Sequence, residues 1–245
     1  MWIKGSVAVC ASALALVAAT AGTAGARGSA GADPRSNFPI RSLPDACWTS
    51  PKGASCLRAS VRYLDRARAR LGQPPYALPR NFVSMTAPQQ VLVLTNLDRM
   101  LYRLAPIPGL TAGLNRDAAH GVRYQNDPEP SHAGWGAYTS NWAGGYPNIV
   151  MAYEGWMYDD GMGSGNLDCT ARNHSGCWGH RHDILWRFGH DGALAMGAAA
   201  KTGRRGSGYA MLLEQTRPGI HPSYTYRWAW AVRAGAHARR APAHS

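Results

Sequence analysis

The sequence predicts an α+β domain with helices first and an antiparallel sheet closing the chain. Three observations carry that reading. Apolar residues recur at helical spacing in several segments between positions 55 and 158. A strand, tight turn and strand pattern follows near position 200. The stretch from 47 to 232 is long enough to bury a sizeable core.

The first 26 residues stand outside this domain. They hold Lys4, an apolar run over about 7–18, and small residues ending in Ala24, Gly25 and Ala26. This is the layout of a secretory signal peptide, and the apolar run is shorter than the ~20 residues of a membrane span. Export is therefore expected. Residues 27–46, rich in Gly, Ala, Ser, Pro and Arg, read as a flexible leader.

Helix periodicity begins at Ser55. Leu57, Val61, Leu64 and Leu71 share one face, and Arg58, Arg62, Asp65, Arg66 and Arg70 take the other. Gly72 and the prolines of "GQPPYALP" stop this helix. A second starts at "TAPQ", where Thr86 and Gln89 have the spacing of a capping box and Pro88 suits a first turn. It runs through Val91, Leu94, Leu97, Met100, Leu101 and Leu104 to "APIPG".

A shorter helix is expected over 111–124, with Leu114, Ala118 and Val122 inward. Positions 125–148, rich in Gly, Pro, Trp and Asn, read as loop with a short strand at most. Ile149, Ala152, Tyr153, Trp156 and Met157 then recur at helical intervals, and "GMGSGNLDCTARNHSGCWG" reads as loop. "HRHDIL" opens a short helix. The run "ALAMGAAAKTGRRGSGYAMLLEQT" reads as two strands around a turn, and "YTYRWAWAV" alternates like a half-buried strand. Residues 233–245 read as a basic, disordered tail.

Removal of the first 26 residues takes Cys10 and leaves Cys47, Cys56, Cys169 and Cys177. An even count in an exported chain favours disulfides, although four cysteines permit three pairings. Neither close pair has the Cys-x-x-Cys spacing of a zinc knuckle. The net charge of +12 falls by one with Lys4, so the mature chain stays basic. That favours anionic partners such as a phospholipid surface or a cell-wall polymer. No zinc finger, RNP box or helix-turn-helix accompanies the charge, which argues against specific nucleic-acid binding.

Several chemistries have no motif here. There is no Gly-x-Ser-x-Gly elbow, and no phosphate-loop lysine follows the glycines. Acidic residues are scarce, and the adjacent pair Asp159 and Asp160 reads as a solvated helix end. Among nine histidines, His132, His174, His180, His182 and His190 fall in or beside the loop-rich region. A zinc site needs three convergent ligands. The two-residue spacing of His180 and His182 serves that only in an extended segment, so His182 is expected to face solvent or to cap the short helix.

Four pieces in order, "VRYLDRARARLGQPPYAL", "LNRDAAHGVRYQNDPEPSHAGWG", the helix with Trp156, and "GHRHDIL" followed by "MGAAAKTG" and "GYAMLLEQT", resemble a divergent CAP domain. This is the superfamily of cysteine-rich secretory proteins, antigen 5 and pathogenesis-related proteins. The most specific piece, "WGHRHDIL", is similar to its bacterial Gly-His-Arg-x-x-Ile-Leu signature. The likeness spans about 55–231 and implies an α-β-α sandwich.

The resemblance implies a cleft with two histidines and two acids. His180 matches the signature histidine, and His132 matches the other. Ser140, followed by Asn141, stands where a glutamate is the rule. Asp159, three after Trp156, matches the second acid, with Glu154 a poorer alternative. One acid is thus replaced by a hydroxyl, which removes a charge and most of the capacity for base catalysis.

Three functions follow as expectations. The first is a secreted binding module for a lipid, sterol or cell-wall ligand, in a cleft around His132 and His180 and with peripheral membrane contact. The second is a metal-assisted hydrolase of peptide or cell-envelope material, with zinc held by His132, Asp159 and His180. The third is an interaction protein whose histidines only pack. No catalytic residue is assigned.

Overall fold

The computed structural model describes residues 32–40, 44–170, 172–203 and 206–238. The expected signal peptide and the end of the expected tail lie outside them.

The order of elements is α1 (Asp45–Thr49), α2 (Ala54–Arg70), a 3₁₀ turn (Phe82–Ser84), α3 (Ala87–Leu101), β1 (Gly109–Thr111), α4 (Ala112–Tyr124), β2 (Trp135–Gly144), α5 (Ile149–Tyr158), α6 (Gly179–Ile184), β3 (Leu194–Gly203), β4 (Gly206–Thr216), β5 (Tyr224–Arg227) and α7 (Trp228–Arg233). The class is mixed α and β. The five strands form one sheet in the order β2-β4-β3-β1-β5.

The expected helices form where their end signals stand. At the end of α2, the Gly72 N–H bonds the Ala69 carbonyl and the Gln73 N–H bonds that of Arg68, with Gly72 at φ 67°. These are the bonds of a Schellman motif, which glycine closes without steric cost. The capping box of Thr86 and Gln89 is present at α3. Thr111 caps α4, and Asn148 accepts from Val150 and Met151 at the start of α5.

The sheet differs from the expected one in three ways. It is mixed, because β1 runs parallel to β3. It is not confined to the end of the chain, because β1 and the ten-residue β2 precede α5 and α6. Cross-strand pairing of β2 with β4 from Trp135↔Thr216 to Gly144↔Gly208 overrides its glycines.

The third difference is that "YTYRWAWAV" is strand only to Arg227 and helix thereafter. Its partner β1 ends at the pair Gly109↔Arg227. The preceding Pro108 has no N–H for the ladder, and its carbonyl instead takes the Trp228 N–H. The chain leaves the sheet there, and α7 buries Trp228 and Ala231.

Helix α4 covers one sheet face through Leu114, Ala118 and Val122, against Leu212, Ala195 and Ala210. The larger core lies on the other face, under α2, α3, α5 and α6. Buried Asp98 of α3 ties three helices together there. It accepts from Tyr76, Tyr153 and Tyr158 and pairs with Arg68 at 3.6 Å.

Parts of both expected flexible segments are held. Phe38 donates to the Tyr158 carbonyl, Asn37 bonds Gly161 and Met162, and Asp33 meets His182. Beyond α7, Ala236 is buried and His237 bridges to Ala77. These residues find unused backbone partners on the domain, which composition does not reveal.

Candidate functional site

Helix α6 places the first candidate. The Arg99 guanidinium donates to the carbonyls of Ile184 and Trp186, satisfying groups left free at the C-terminal end of the helix. From β2, Asn141 donates to the His180 carbonyl and Thr139 to that of Asp183. Ile184 and Leu185, both 0% exposed, anchor the segment in the core. Because α6 is helical, its two histidines diverge. His180 lines a cavity, whereas His182 pairs with Asp33 at 2.7 Å.

The cavity has a volume of about 700 Å³ and lies between β2, the end of α4, α5 and the loop before α6. Its wall includes Trp142, Tyr146 and Trp156, four aspartates (Asp127, Asp159, Asp160 and Asp168) and His180, with no lysine or arginine. In a chain of net charge +12 this is a concentrated negative site.

Asp160 organises it. Its Oδ1 lies 2.6 Å from His180 Nδ1 and also accepts from Asn166 at 2.6 Å, while Oδ2 takes the Arg181 N–H. Burial by itself disfavours the imidazolium. The hydrogen bond and charge of Asp160, with further charge from Asp127 and Asp183, outweigh it and hold the His180 pKa above its ordinary value. Asp160 is 1% exposed, so the expected solvated helix end is instead a buried partner.

With Nδ1 committed, Nε2 is the free nitrogen of His180. One ligand-capable atom from each of Asp127, Asp168 and His180 lies within 4.8 Å of the others, the group of three or more that could hold a metal among the described residues. Each is fixed locally. Asp127 follows α4 and lies beside the backbone of Trp142 in edge strand β2. Asp168 precedes Cys169, which is disulfide-bonded to Cys177. Gly176 (φ 80°) crosses the Asp168 carbonyl so closely that a Cβ there would collide with it. The other disulfide joins Cys47 to Cys56.

The expected tetrad does not converge in one place. Asp159 lines the cavity with Oδ1 unpartnered, near Glu154, which is 0% exposed and has neither carboxylate oxygen hydrogen-bonded. Burial, then the charge of Asp159, pushes the Glu154 pKa well above the usual carboxylate range. Ser140 is paired with Leu212, which packs on α4, whereas its neighbour Asn141 reaches α6. Strand alternation therefore puts Ser140 on the sheet face away from His180.

His132 is engaged elsewhere. Its Nδ1 accepts from the Gly134 N–H at 3.0 Å, so the ring proton sits on Nε2 and is donated to Glu214, 2.9 Å away. Neither nitrogen is free for a metal, and His132 is not in the cavity wall. Asp127 and Asp168 went unnoticed in the sequence, and Asp160 was noticed only as part of a solvated helix end. Their signals are slight: one precedes a proline after a helix, one adjoins Asp159, and one adjoins a cysteine.

Compared with protein-family models, with curated proteins and with solved structures, the chain finds no match in any of the three.

Proposed function

We propose that this chain is an exported, CAP-like binding protein whose acidic cavity holds a divalent cation and, beside it, an uncharged polyhydroxylated ligand such as a cell-wall glycan. The observation that carries the reading is the corner of Asp160, His180, Asp127 and Asp168. A metal-ligating histidine commonly donates its other ring nitrogen to a carboxylate, which fixes the tautomer and raises ligand basicity. His180 has that partner in Asp160.

The donor set fits the cation. Two carboxylates and one imidazole suit zinc or manganese and leave coordination positions open. Asp127, Asp168 and His180 would hold the ion, which would supply Lewis acidity and bind oxygen donors of a ligand. His132, expected as a ligand, is not in this set, and Asp159 would line the space beside it.

The walls suit the second component. The half-buried Trp142 and Tyr146 offer apolar surface and ring faces, and Asp159 offers an acceptor for hydroxyl groups. An anionic lipid head is a poor occupant of four aspartates unless the cation comes first. The likeness to CAP domains and the signal-peptide layout support export.

The test is calorimetric titration of zinc and manganese into residues 27–245, beside His180→Ala, Asp168→Asn and His132→Ala. Expected is one ion per chain, with binding lost in the first two variants and unchanged in the third. Absence of binding in the wild type, or equal loss in His132→Ala, overturns the reading.

A further inference from the structure

Helix α2 carries an arginine at every fourth position over most of its length, Arg58, Arg62, Arg66 and Arg70, and all four are exposed. We propose that this row is a binding surface for a linear phosphodiester polymer of the polyol phosphate class, lying along the helix as one strand.

The spacing makes the row. Residues four apart stand on one ridge of a helix, about 6 Å apart along its axis, so the four guanidiniums mark a line of about 18 Å. Arg35 of the held leader lines the same hollow as Arg70 and extends the line past the end of α2. The acids nearby are engaged: Asp33 of that hollow pairs with His182, and Asp65, the one acid of α2, accepts the Tyr76 N–H. Among the described residues, none of the four arginines is in an ion pair. Three successive like-charged pairs at i and i+4 oppose an unbound helix. A bound polyanion turns that repulsion into attraction.

Part of the row is held ready. Phe38 and Tyr63 form an edge-to-face pair with centroids 5.8 Å apart. The Arg66 guanidinium lies over Tyr63 and that of Arg70 over Phe38, each 4.5 Å from the ring centroid. Stacking uses the guanidinium face and leaves its N–H edges, which match phosphate oxygens in pairs.

The same features choose among polyanions. A single row meets one strand of phosphates, whereas a nucleic-acid duplex presents two. A single-stranded nucleic acid gains its hold by stacking bases on aromatic rings, and here Tyr63 and Phe38 are already covered by arginine. Phosphates joined through a short polyol recur at a spacing close to that of the arginines and carry no base. None of the four arginines lines the acidic cavity, so this surface stands or falls separately from the cation site.

The test is calorimetric titration of a synthetic glycerol phosphate octamer, with chelator present, into residues 27–245 and two variants of equal charge. Arg62→Gln/Arg66→Gln interrupts the row. Arg116→Gln/Arg123→Gln removes two exposed arginines of α4, which covers the other sheet face. Expected for the wild type is a log affinity that falls with log salt at a slope of about −3, as four contacts to a single-stranded polyanion give. The α2 variant should bind about tenfold more weakly, with the slope about halved, and the α4 variant within about twofold of the wild type. The octamer should raise the melting temperature of the wild type and the α4 variant more than that of the α2 variant. No binding by the wild type, equal loss in the two variants, or tighter binding of a deoxythymidine octamer or of anionic phospholipid vesicles than of the glycerol phosphate octamer would each overturn it.

Discussion

Two histidines in this chain each rest on a buried carboxylate, and the outcomes are opposite. At His180 the carboxylate takes Nδ1 and leaves Nε2 free beside two further acids. At His132 the carboxylate takes Nε2, and a backbone N–H takes Nδ1 as well. The first arrangement orients a ligand, whereas the second uses up the ring. The distinction lies in one extra hydrogen bond from Gly134, and no property of the isolated residues contains it.

The largest expected effect separates the two roles within "GHRHDIL". Ile184 is fully buried and next to Leu185 in the main core. Ile184→Ala should cost roughly 2 to 5 kcal/mol of stability in denaturant unfolding, without removing the cation ligands. His180→Ala should cost less stability than Ile184→Ala while abolishing cation binding. If His180→Ala unfolds the chain more readily than Ile184→Ala, the histidine is a packing residue and the contrast with His132 collapses.

Next in size is the effect of the two carboxylate partners. Asp160→Asn keeps the shape but loses the charge that orients and enriches His180. Loss of such a partner typically lowers metal affinity 10- to 100-fold, or about 1.4 to 2.8 kcal/mol. Glu214→Gln, the matching change at His132, should leave affinity within twofold in the same titration. Equal sensitivity would mean that the two corners act on one site.

How much of this was legible in the sequence depended on range. Helix ends at Gly72, Thr86 and Thr111 were readable because glycine, capping hydroxyls and proline act on neighbours a few residues away. Strand β2 was not, since its glycines look like loop until β4 supplies a partner along its length. Arg227 was read as mid-strand because the shortness of β1 is set more than a hundred positions earlier.

The site shows the same division. His180 was singled out by a local signature. Asp127, Asp160 and Asp168 reach His180 from separate segments, brought there by an edge strand, a helix end and a disulfide-bonded loop. The resemblance suggested Ser140 and His132, and the sheet put one on the far face and tied the other to Glu214. Alternation along β2 fixes which face Ser140 takes, but its register against β4 is a tertiary fact.

Glu154 completes the contrast as a buried carboxyl with no partner, and its expected effect is the smallest. Its pKa in the folded chain is raised above the ordinary value, so the folded state keeps this proton to higher pH than the unfolded chain does. Below the unfolded value both states are protonated and the group contributes nothing. Above it, stability falls as pH rises, by up to about 1.4 kcal/mol per pH unit until the folded pKa is reached. Glu154→Gln removes the titration while keeping the shape. Part of the benefit is offset because the amide N–H groups also lack partners. In chelator-containing buffer the variant should therefore be no more stable than the wild type near pH 4 and should gain on it steadily as pH rises toward 8. A constant difference across that range would mean that Glu154 has a partner that stabilises its charge, and would place it with the two paired carboxylates.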